Sequence, residues 1–301
     1  MSPDNNRKML VTSHTARPEA ISATRETLAQ LHAHGVVPVM LASDIADFAN
    51  HVETTQIRKL HTEVELADIE AAIVLGGDGT ILRAAETVRG SQVPIVGVNL
   101  GHVGFLAEME HHNLAETVRR VLAREYTVEE RATLDVAVHD GDDTVHKTFA
   151  VNEATVEKTS RMIEVAVGVD SRPLTAFGCD GVVVATATGS TAYGFSAGGP
   201  VMWPEVDAML VVPLAAHALF NRPLVLGPNQ VVEIRYQRRN KDSAALWCDG
   251  RRRIALAPGQ RAVIKRSSEP LRLARLDTGV FTDRLVNKFK LPVEGWRGAA
   301  A

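Results

Sequence analysis

The stretch Ala71-Ala72-Ile73-Val74-Leu75-Gly76-Gly77-Asp78-Gly79-Thr80 decides how the first half of this chain is read. Its five leading apolar residues are a strand signal. The glycine loop after them opens onto a helical pattern, with Ile81, Leu82, Ala85 and Val88 on one face and Gly90 at its close. The same alternation runs outward in both directions. Upstream, Lys8 to Thr12 and Val36 to Leu41 read as strands, separated by a helix whose Ile21, Leu28 and Leu31 share a face and which Gly35 ends. Downstream, Pro94 to Val98 is a fourth strand, and Asn113-x-x-Glu116 has the form of a capping box for a helix carrying Leu114, Val118, Val121 and Leu122. Strand and helix in alternation predict an α/β domain, a parallel sheet covered by helices.

Near residue 130 the period changes to two, as in Leu134, Val136 and Val138. Turn signals stand at Asp140-Gly141, Asp170-Ser171-Arg172-Pro173 and Asp249-Gly250, and further strands are expected at 162–169, 181–186, 231–236, 244–248, 261–266 and 271–276. This predicts an α/β domain over 1–130, a β-rich, sandwich-like domain over 131–275, and a C-terminal segment, 276–301, with a helix-like run over 282–290.

Composition agrees with two domains. A chain of 301 residues, 45% hydrophobic and 23% charged, buries two medium cores more readily than one large one. A net charge of −3 leaves no electrostatic footprint for nucleic acid or an anionic membrane, so any anionic substrate has to be held locally. Cys179 and Cys248 show no Cys-x-x-Cys spacing, which argues against a disulfide framework or a thiolate metal site and fits a reducing cytoplasm. Met1 to Arg7 carries no signal-type apolar core, and the most apolar later stretch, Ala208 to Phe220, is broken by Pro213 and His217, so no membrane span is expected.

In Gly76-Gly77-Asp78-Gly79-Thr80 the missing Cβ atoms let a chain turning from strand to helix bring bare amide N–H groups against an anion, and phosphate is the obvious guest. Open α/β sheets bind ligands at the carboxyl ends of their strands, where this loop falls. A tight turn with Asp78 as the helix N-cap is the other reading of these five residues. A carboxylate inside a phosphate loop repels its guest unless Mg²⁺ bridges them or the carboxylate faces a hydroxyl whose proton it accepts. Phosphoryl transfer supplies that second role. About a hundred residues on, Asp180 to Pro200 joins an apolar run to a loop crowded with hydroxyls and glycines, and the two loops read as two walls of one polar-ligand site.

Other motifs fall away. Neither Gly-x-x-x-x-Gly-Lys-Ser/Thr nor Gly-x-Gly-x-x-Gly occurs; His-Glu-x-x-His is absent, and His111-His112 reads as a surface helix entry, so no metal ligands are expected from the protein. Gly194-Phe195-Ser196-Ala197-Gly198 matches a hydrolase nucleophile elbow in letters only. A polar loop stands where the strand should be, and Gly198-Gly199-Pro200 follows where a helix should start.

Taken in order, Gly76-Gly77-Asp78-Gly79-Thr80, Asn152-Glu153, Asp180-Gly181, Thr188-Gly189-Ser190-Thr191-Ala192-Tyr193 and Ser196-Ala197-Gly198-Gly199-Pro200 resemble the NAD kinase family. The first motif alone is shared with diacylglycerol-type lipid kinases and 6-phosphofructokinases; the long second loop singles out NAD kinases. The resemblance runs from about Leu10 to about Phe289, includes Pro213-x-x-x-His217-x-Leu219-x-x-Arg222-Pro223, and departs from the family's Thr-Pro-Thr-Gly-Ser at Ala187. It implies Mg²⁺-dependent transfer of the terminal phosphoryl group of ATP or polyphosphate to the adenosine ribose 2′-hydroxyl of NAD, giving NADP. Asp78 would be the general base, Gly76, Gly77 and Thr80 the phosphate loop, and Gly79 would lie against the dinucleotide. Asn152 and Glu153 would hold adenine and ribose, Asp180 the nicotinamide end, and Thr191, Ala192, Tyr193 and Ser196 the adenine pocket. Arg83 is either a phosphate or ribose contact or a solvated helix charge; Arg161 either meets the dinucleotide phosphates or is a strand charge; Tyr193 either stacks on ligand or fills core. The resemblance also implies a homodimer or homotetramer, a cleft site between the domains and a C-terminal segment packed back on the first. The basic run Arg235, Arg238, Arg239, Lys241 and Arg251-Arg252-Arg253 is either a collector of a polyanionic donor or a solvated hairpin face. A lipid or sugar kinase of the same superfamily and a non-catalytic NAD-binding protein are the rival functions.

Overall fold

The computed structural model describes residues 7–101, 104–107, 109–110, 114–277 and 279–293. The sequence-expected helix entry at His111-His112 and the capping residue Asn113 lie outside them. The chain divides into two compact units, one formed by residues up to Glu130 together with those from Leu271 on, the other by Arg131–Pro270.

The first unit is built on an eight-stranded sheet. Across it, in order, run Arg58–Lys59, Val37–Met40, Lys8–Ser13, Ala71–Leu75, Ile95–Asn99, Leu271–Arg275 and Thr127–Arg131, with Met109–Glu110 also paired to Ile95–Asn99. The pairings along Lys8–Ser13, Ala71–Leu75 and Ile95–Asn99 are parallel. Both faces of this sheet are covered, which is why its central strands are continuous apolar runs. Met9, Val11, Ile73, Val96 and Val98 pack on one side against Leu28 and Leu31 of the helix Pro18–Ala33 and Val118 and Val121 of the helix Leu114–Leu122. Gly97, between Val96 and Val98 and so facing the other way, lies under Ile81 of the helix Asp78–Val88, where a Cβ would fall 2.6 Å from Ile81 Cδ1.

The strands Arg58–Lys59, Met109–Glu110 and Thr127–Arg131 are absent from the sequence expectation, and two larger features differ from it. A short helix, Ala42–Phe48, follows the second strand. Leu271–Arg275, grouped by its period with the antiparallel half, lies parallel in the first sheet, Leu273 opposite Ile95. Alternation marks a strand but not the sheet it joins; here Ala274, on the face opposite Leu271 and Leu273, is buried as well. The final helix, Phe281–Phe289, belongs to the same unit.

The second unit is a sandwich of two six-stranded antiparallel sheets. One runs Leu224–Leu226, Met209–Leu214, Gly181–Ala185, Glu153–Glu157, Ala244–Cys248 and Arg252–Leu256; the other runs Arg172–Cys179, Ile163–Val169, Val231–Tyr236, Arg261–Arg266, Leu134–Asp140 and Asp143–Ala150. Inward residues of both, among them Val136, Val165, Val232 and Ile264 from one and Val156, Val182, Val184 and Leu246 from the other, form one core. Two hairpins turn where Asp170-Ser171 and Asp249-Gly250 predict, with φ of 51°, 62°, 55° and 62°, the left-handed pair that a tight hairpin twist requires. The outer face of the first of these sheets is buried too: Val183, Ala185, Leu210 and Val212 lie under Ala187 and Met202, which bracket the hydroxyl-rich loop. That second cover explains the unbroken apolar run at 181–185, and it seats the loop on a rigid floor.

Cys179 and Cys248 are free and buried, and burial pushes both thiols up to about 12, which makes them inert core groups. Among the described residues no helix is long and apolar enough to cross a membrane.

Candidate active site

In the first unit the strand Ala71–Leu75 ends at Gly76, whose N–H still bonds Val98 O at 2.9 Å. Gly77 takes the N-cap position, its carbonyl accepting from Thr80 N at 2.9 Å and Ile81 N at 3.2 Å. Asp78 is therefore the first helical residue and caps nothing in its own helix. Its carboxylate turns instead to the segment after Ile95–Asn99, where Phe105 N donates to Oδ2 and Leu106 N to Oδ1, each at 3.1 Å. Thr80 is buried, whereas a Cβ built on Gly77 or Gly79 would meet nothing within 4 Å, so this loop presents its backbone to open space. Arg83 is half-buried and engaged within the protein. It donates to Asp44 Oδ1 at 2.7 Å and to Ser13 O at 2.5 Å, which ties the helix to the first strand.

In the second unit two motifs read separately in the sequence meet. Thr186 Oγ1 donates to Val151 O at 2.7 Å and accepts from Gly189 N at 3.1 Å, folding the hydroxyl-rich loop back on the Asn152-Glu153 strand start. The approach is so close that a Cβ on Gly189 would fall 1.9 Å from Asn152 O. Ser190 Oγ locks the other end of the loop, donating to Ala187 O and accepting from Met202 N at 2.8 Å. Thr191 and Ala192 are half-buried, and the short helix Tyr193–Ser196 leaves Tyr193 and Ser196 exposed, so Tyr193 is no core residue. Its hydroxyl donates to Glu157 Oε1 at 3.2 Å.

Glu153 is the most perturbed acid of this group. It is 6% exposed, one of its oxygens has no partner, and burial followed by the charge of Asp249 pushes it up to about 8, with the Tyr193 backbone N–H opposing. Asp249 is buried beside it and accepts from Val151 N, from Asn152 N at 2.7 Å and from Arg252 Nη2 at 2.5 Å; burial still raises it. Asp180 pairs with Lys158 Nζ at 2.6 Å, half-exposed. Arg161 sits in the loop after Glu153–Glu157, not in a strand, and lines a cleft of about 170 Å³ with Thr159, Asn240 and Ser243.

The sequence reading did not find Asp249, Glu157, Lys158 or the Phe105-Leu106 amides. Asp249-Gly250 carried a turn signal, and that signal masked the carboxylate's second task of holding the Val151 and Asn152 amides. The basic run is largely engaged internally: Arg235 with Glu233, Arg239 with Glu164, Arg252 with Asp249 and 4.1 Å over the Phe149 ring, and Arg253 over Trp247.

Comparison with known proteins fits both units. Residues 5–126 match the family model of the ATP-NAD kinase N-terminal domain, and residues 151–276 that of the ATP-NAD kinase C-terminal domain. An NAD kinase of Leifsonia xyli subsp. xyli is 53% identical over 295 residues, 97% of each chain. The crystal structure of a yeast NADH kinase complexed with NADH shares the fold at a TM-score of 0.85 and 21% identity, covering 97% of this chain and 89% of its own. An Archaeoglobus fulgidus NAD kinase in complex with ATP superposes at a TM-score of 0.67 and 25% identity, covering 94% and 97%. The protein is thus an enzyme of the kinase class. More narrowly, the chain belongs to the NAD kinase family.

Proposed function

We propose that this enzyme transfers the terminal phosphoryl group of ATP or polyphosphate to the 2′-hydroxyl of the adenosine ribose of NAD, with Asp78 as general base. The observation that carries the reading is the Asp78 carboxylate, set at the first position of the helix after an open glycine loop and oriented by two backbone amides. Each of its oxygens accepts one amide and keeps a further lone pair for a hydroxyl proton. The ribose oxygen forms a bond to the terminal phosphorus, the bond from that phosphorus to the donor's bridging oxygen breaks, and the hydroxyl proton goes to Asp78. ADP and NADP leave when ATP is the donor. The amides of Gly77 and Gly79 at the start of the helix, with Thr80 behind them, suit a phosphate, while Gly76, its own amide spent on Val98 O, shapes the turn that presents them.

In the second unit Asn152 and Glu153 are the proposed readers of adenine and ribose, Tyr193 the proposed stacking face, and Thr191, Ala192, Ser196 and Asp180 the remaining contacts. Glu153 supports this role because its unpartnered oxygen is a buried group that a ribose hydroxyl would satisfy. Arg83, spent on Asp44, is left out of the ligand set, and Arg161 is kept as a phosphate contact.

The loop holds one carboxylate amid open amides. That donor set fits a Mg²⁺ ion carried on the donor's phosphates rather than one caged by the protein. Bound there, the ion neutralises charge on the phosphate oxygens. ATP as donor is supported by the Archaeoglobus fulgidus relative crystallised with it. A cytoplasmic homo-oligomer completes the reading, and the two free buried thiols fit a reducing compartment.

The test is incubation of the purified protein with NAD and Mg²⁺, supplying ATP in one arm and polyphosphate in the other. NADP is assayed with an NADP-specific dehydrogenase, and phosphorus NMR locates the new phosphate. A 2′-phosphate formed in either arm agrees with the proposal; a 3′-phosphate, or no NADP from either donor, refutes it.

A further inference from the structure

The turn that grips Asp78 is itself gripped by the end of the chain. Residues 104–107 lie in neither helix nor strand, so their geometry depends on what holds them. While Phe105 and Leu106 point their N–H groups at the Asp78 carboxylate, their carbonyls accept from two arginines: Phe105 O from Arg284 Nη1 at 2.9 Å, and Leu106 O from Arg275 Nη1 at 3.1 Å. The Phe105 ring is flanked by Phe281 and Phe289, with centroids at 5.8 and 5.9 Å and planes tilted by 42° and 44°. Phe281, Arg284 and Phe289 lie on one face of the helix Phe281–Phe289. One peptide segment thus joins two hydrogen-bonded layers, the carboxylate on its amide side and the C-terminal helix on its carbonyl and ring side.

We propose that Arg284, backed by Phe281 and Phe289, is a positioning residue for the reaction: it holds the Gly104–Leu106 turn so that its two amides aim the Asp78 carboxylate at the acceptor hydroxyl. The inference rests on Asp78 being the base. A carboxylate fixed by two amides is confined to one orientation, and proton transfer and in-line attack are sensitive to displacements of an ångström or less. Releasing Phe105 O removes one of the two carbonyl anchors and leaves the turn held by Arg275 at Leu106 O and by ring packing alone, so the base then samples orientations from which it takes the proton less well. Substrate contacts made elsewhere stay in place, so the loss falls on kcat and not on KM.

The experiment is a double-mutant cycle on the full chain with NADP formation as readout, comparing wild type, Arg284→Ala, Asp78→Asn and the double variant. Arg284→Lys and Phe289→Leu serve as milder changes, and thermal melts check each fold. Arg284→Ala is expected to lower kcat on the order of tenfold or more with KM for NAD little changed. Arg284→Lys, which still offers one donor to Phe105 O, should recover part of the loss. In the Asp78→Asn background, read at high enzyme concentration, Arg284→Ala should cost nothing further, because the group it aims is gone. Equal losses in both backgrounds, or a wild-type kcat in a folded Arg284→Ala, would overturn the proposal while leaving Asp78 as base. A wild-type kcat for Asp78→Asn would overturn both. Should Arg284→Ala fail to fold, Phe289→Leu carries the same cycle with the same criteria.

Discussion

Gly104 and the Asp78 carboxylate approach so closely that a methyl group on Gly104 would fall 2.2 Å from Oδ1. Only a residue without a side chain lets the carboxylate reach the two amides that follow. Gly104→Ala therefore has to displace either the turn or Asp78. The expected outcome is a fall in kcat on the order of tenfold or more, with overpacking costing about 1–3 kcal/mol of stability. Steady-state kinetics beside a thermal melt checks this; a variant with unchanged kcat would mean that Asp78 acts from some other position.

Glu153 sets a pH dependence. Its pKa rises from 4.5 to about 8 on folding, so between those values the folded protein retains a proton that the unfolded chain has released. The stability this contributes is complete below pH 4.5 and is lost as pH rises toward about 8. Asp249, raised in the same direction, adds to the slope. Glu153→Gln, neutral throughout, should flatten the profile and be more stable than wild type near pH 8, by on the order of a few kcal/mol. Denaturant midpoints at pH 5.5 and 8 decide it. Equal slopes in the two proteins would place the buried charge elsewhere.

Gly189 and Gly79 should respond oppositely to the same change. A methyl at Gly189 meets the backbone carbonyl of Asn152, which has no room to retreat, whereas one at Gly79 meets nothing within 4 Å. Gly189→Ala is expected to cost about 1–3 kcal/mol or more and to weaken NAD binding by pushing the loop off Asn152. Gly79→Ala, in a helix, should leave the melting temperature unchanged or raise it. Melts of the two variants side by side test the contrast.

Arg83 is expected to act on stability. The Asp44 side chain it pairs with is 2% exposed, so Arg83→Ala leaves a buried charge with one partner lost. Because Arg83 is itself partly open, the loss should fall toward the low end of the about 3–5 kcal/mol typical of a broken buried pair. Asp44→Asn in the same chain should restore part of it. At a temperature where the variant is folded, KM for NAD should stay within about twofold of wild type, an outcome that a direct phosphate or ribose contact from Arg83 would not give.

Much of the fold was legible because burial writes itself into local pattern. Ala71–Leu75, Val231–Tyr236, Ala244–Cys248 and Arg261–Arg266 form as strands over the residues the sequence pattern predicts. Ala42–Phe48 was not, since seven residues with Ile45 and Phe48 as their only large apolar pair show too little period. The membership of Leu271–Arg275 in the first sheet was not either, because it depends on a pairing with Ile95 far back along the chain. Within the candidate site, residues were legible where glycines and hydroxyls cluster. The groups that orient them were not: Asp249 holds Asn152 across 97 positions, and Arg284 holds Phe105 across 179. Such contacts leave no trace in a window of neighbouring residues.

The most direct test of the account compares wild type with Asp78→Asn in NADP formation from NAD and ATP, with NAD affinity measured by calorimetry on both. With Asp78 as base, a loss in kcat on the order of 10²–10⁴-fold is expected with affinity changed only a few-fold. A kcat within a few-fold of wild type would contradict that role, because the carboxylate oriented by the Phe105 and Leu106 amides would then not be the group that takes the proton.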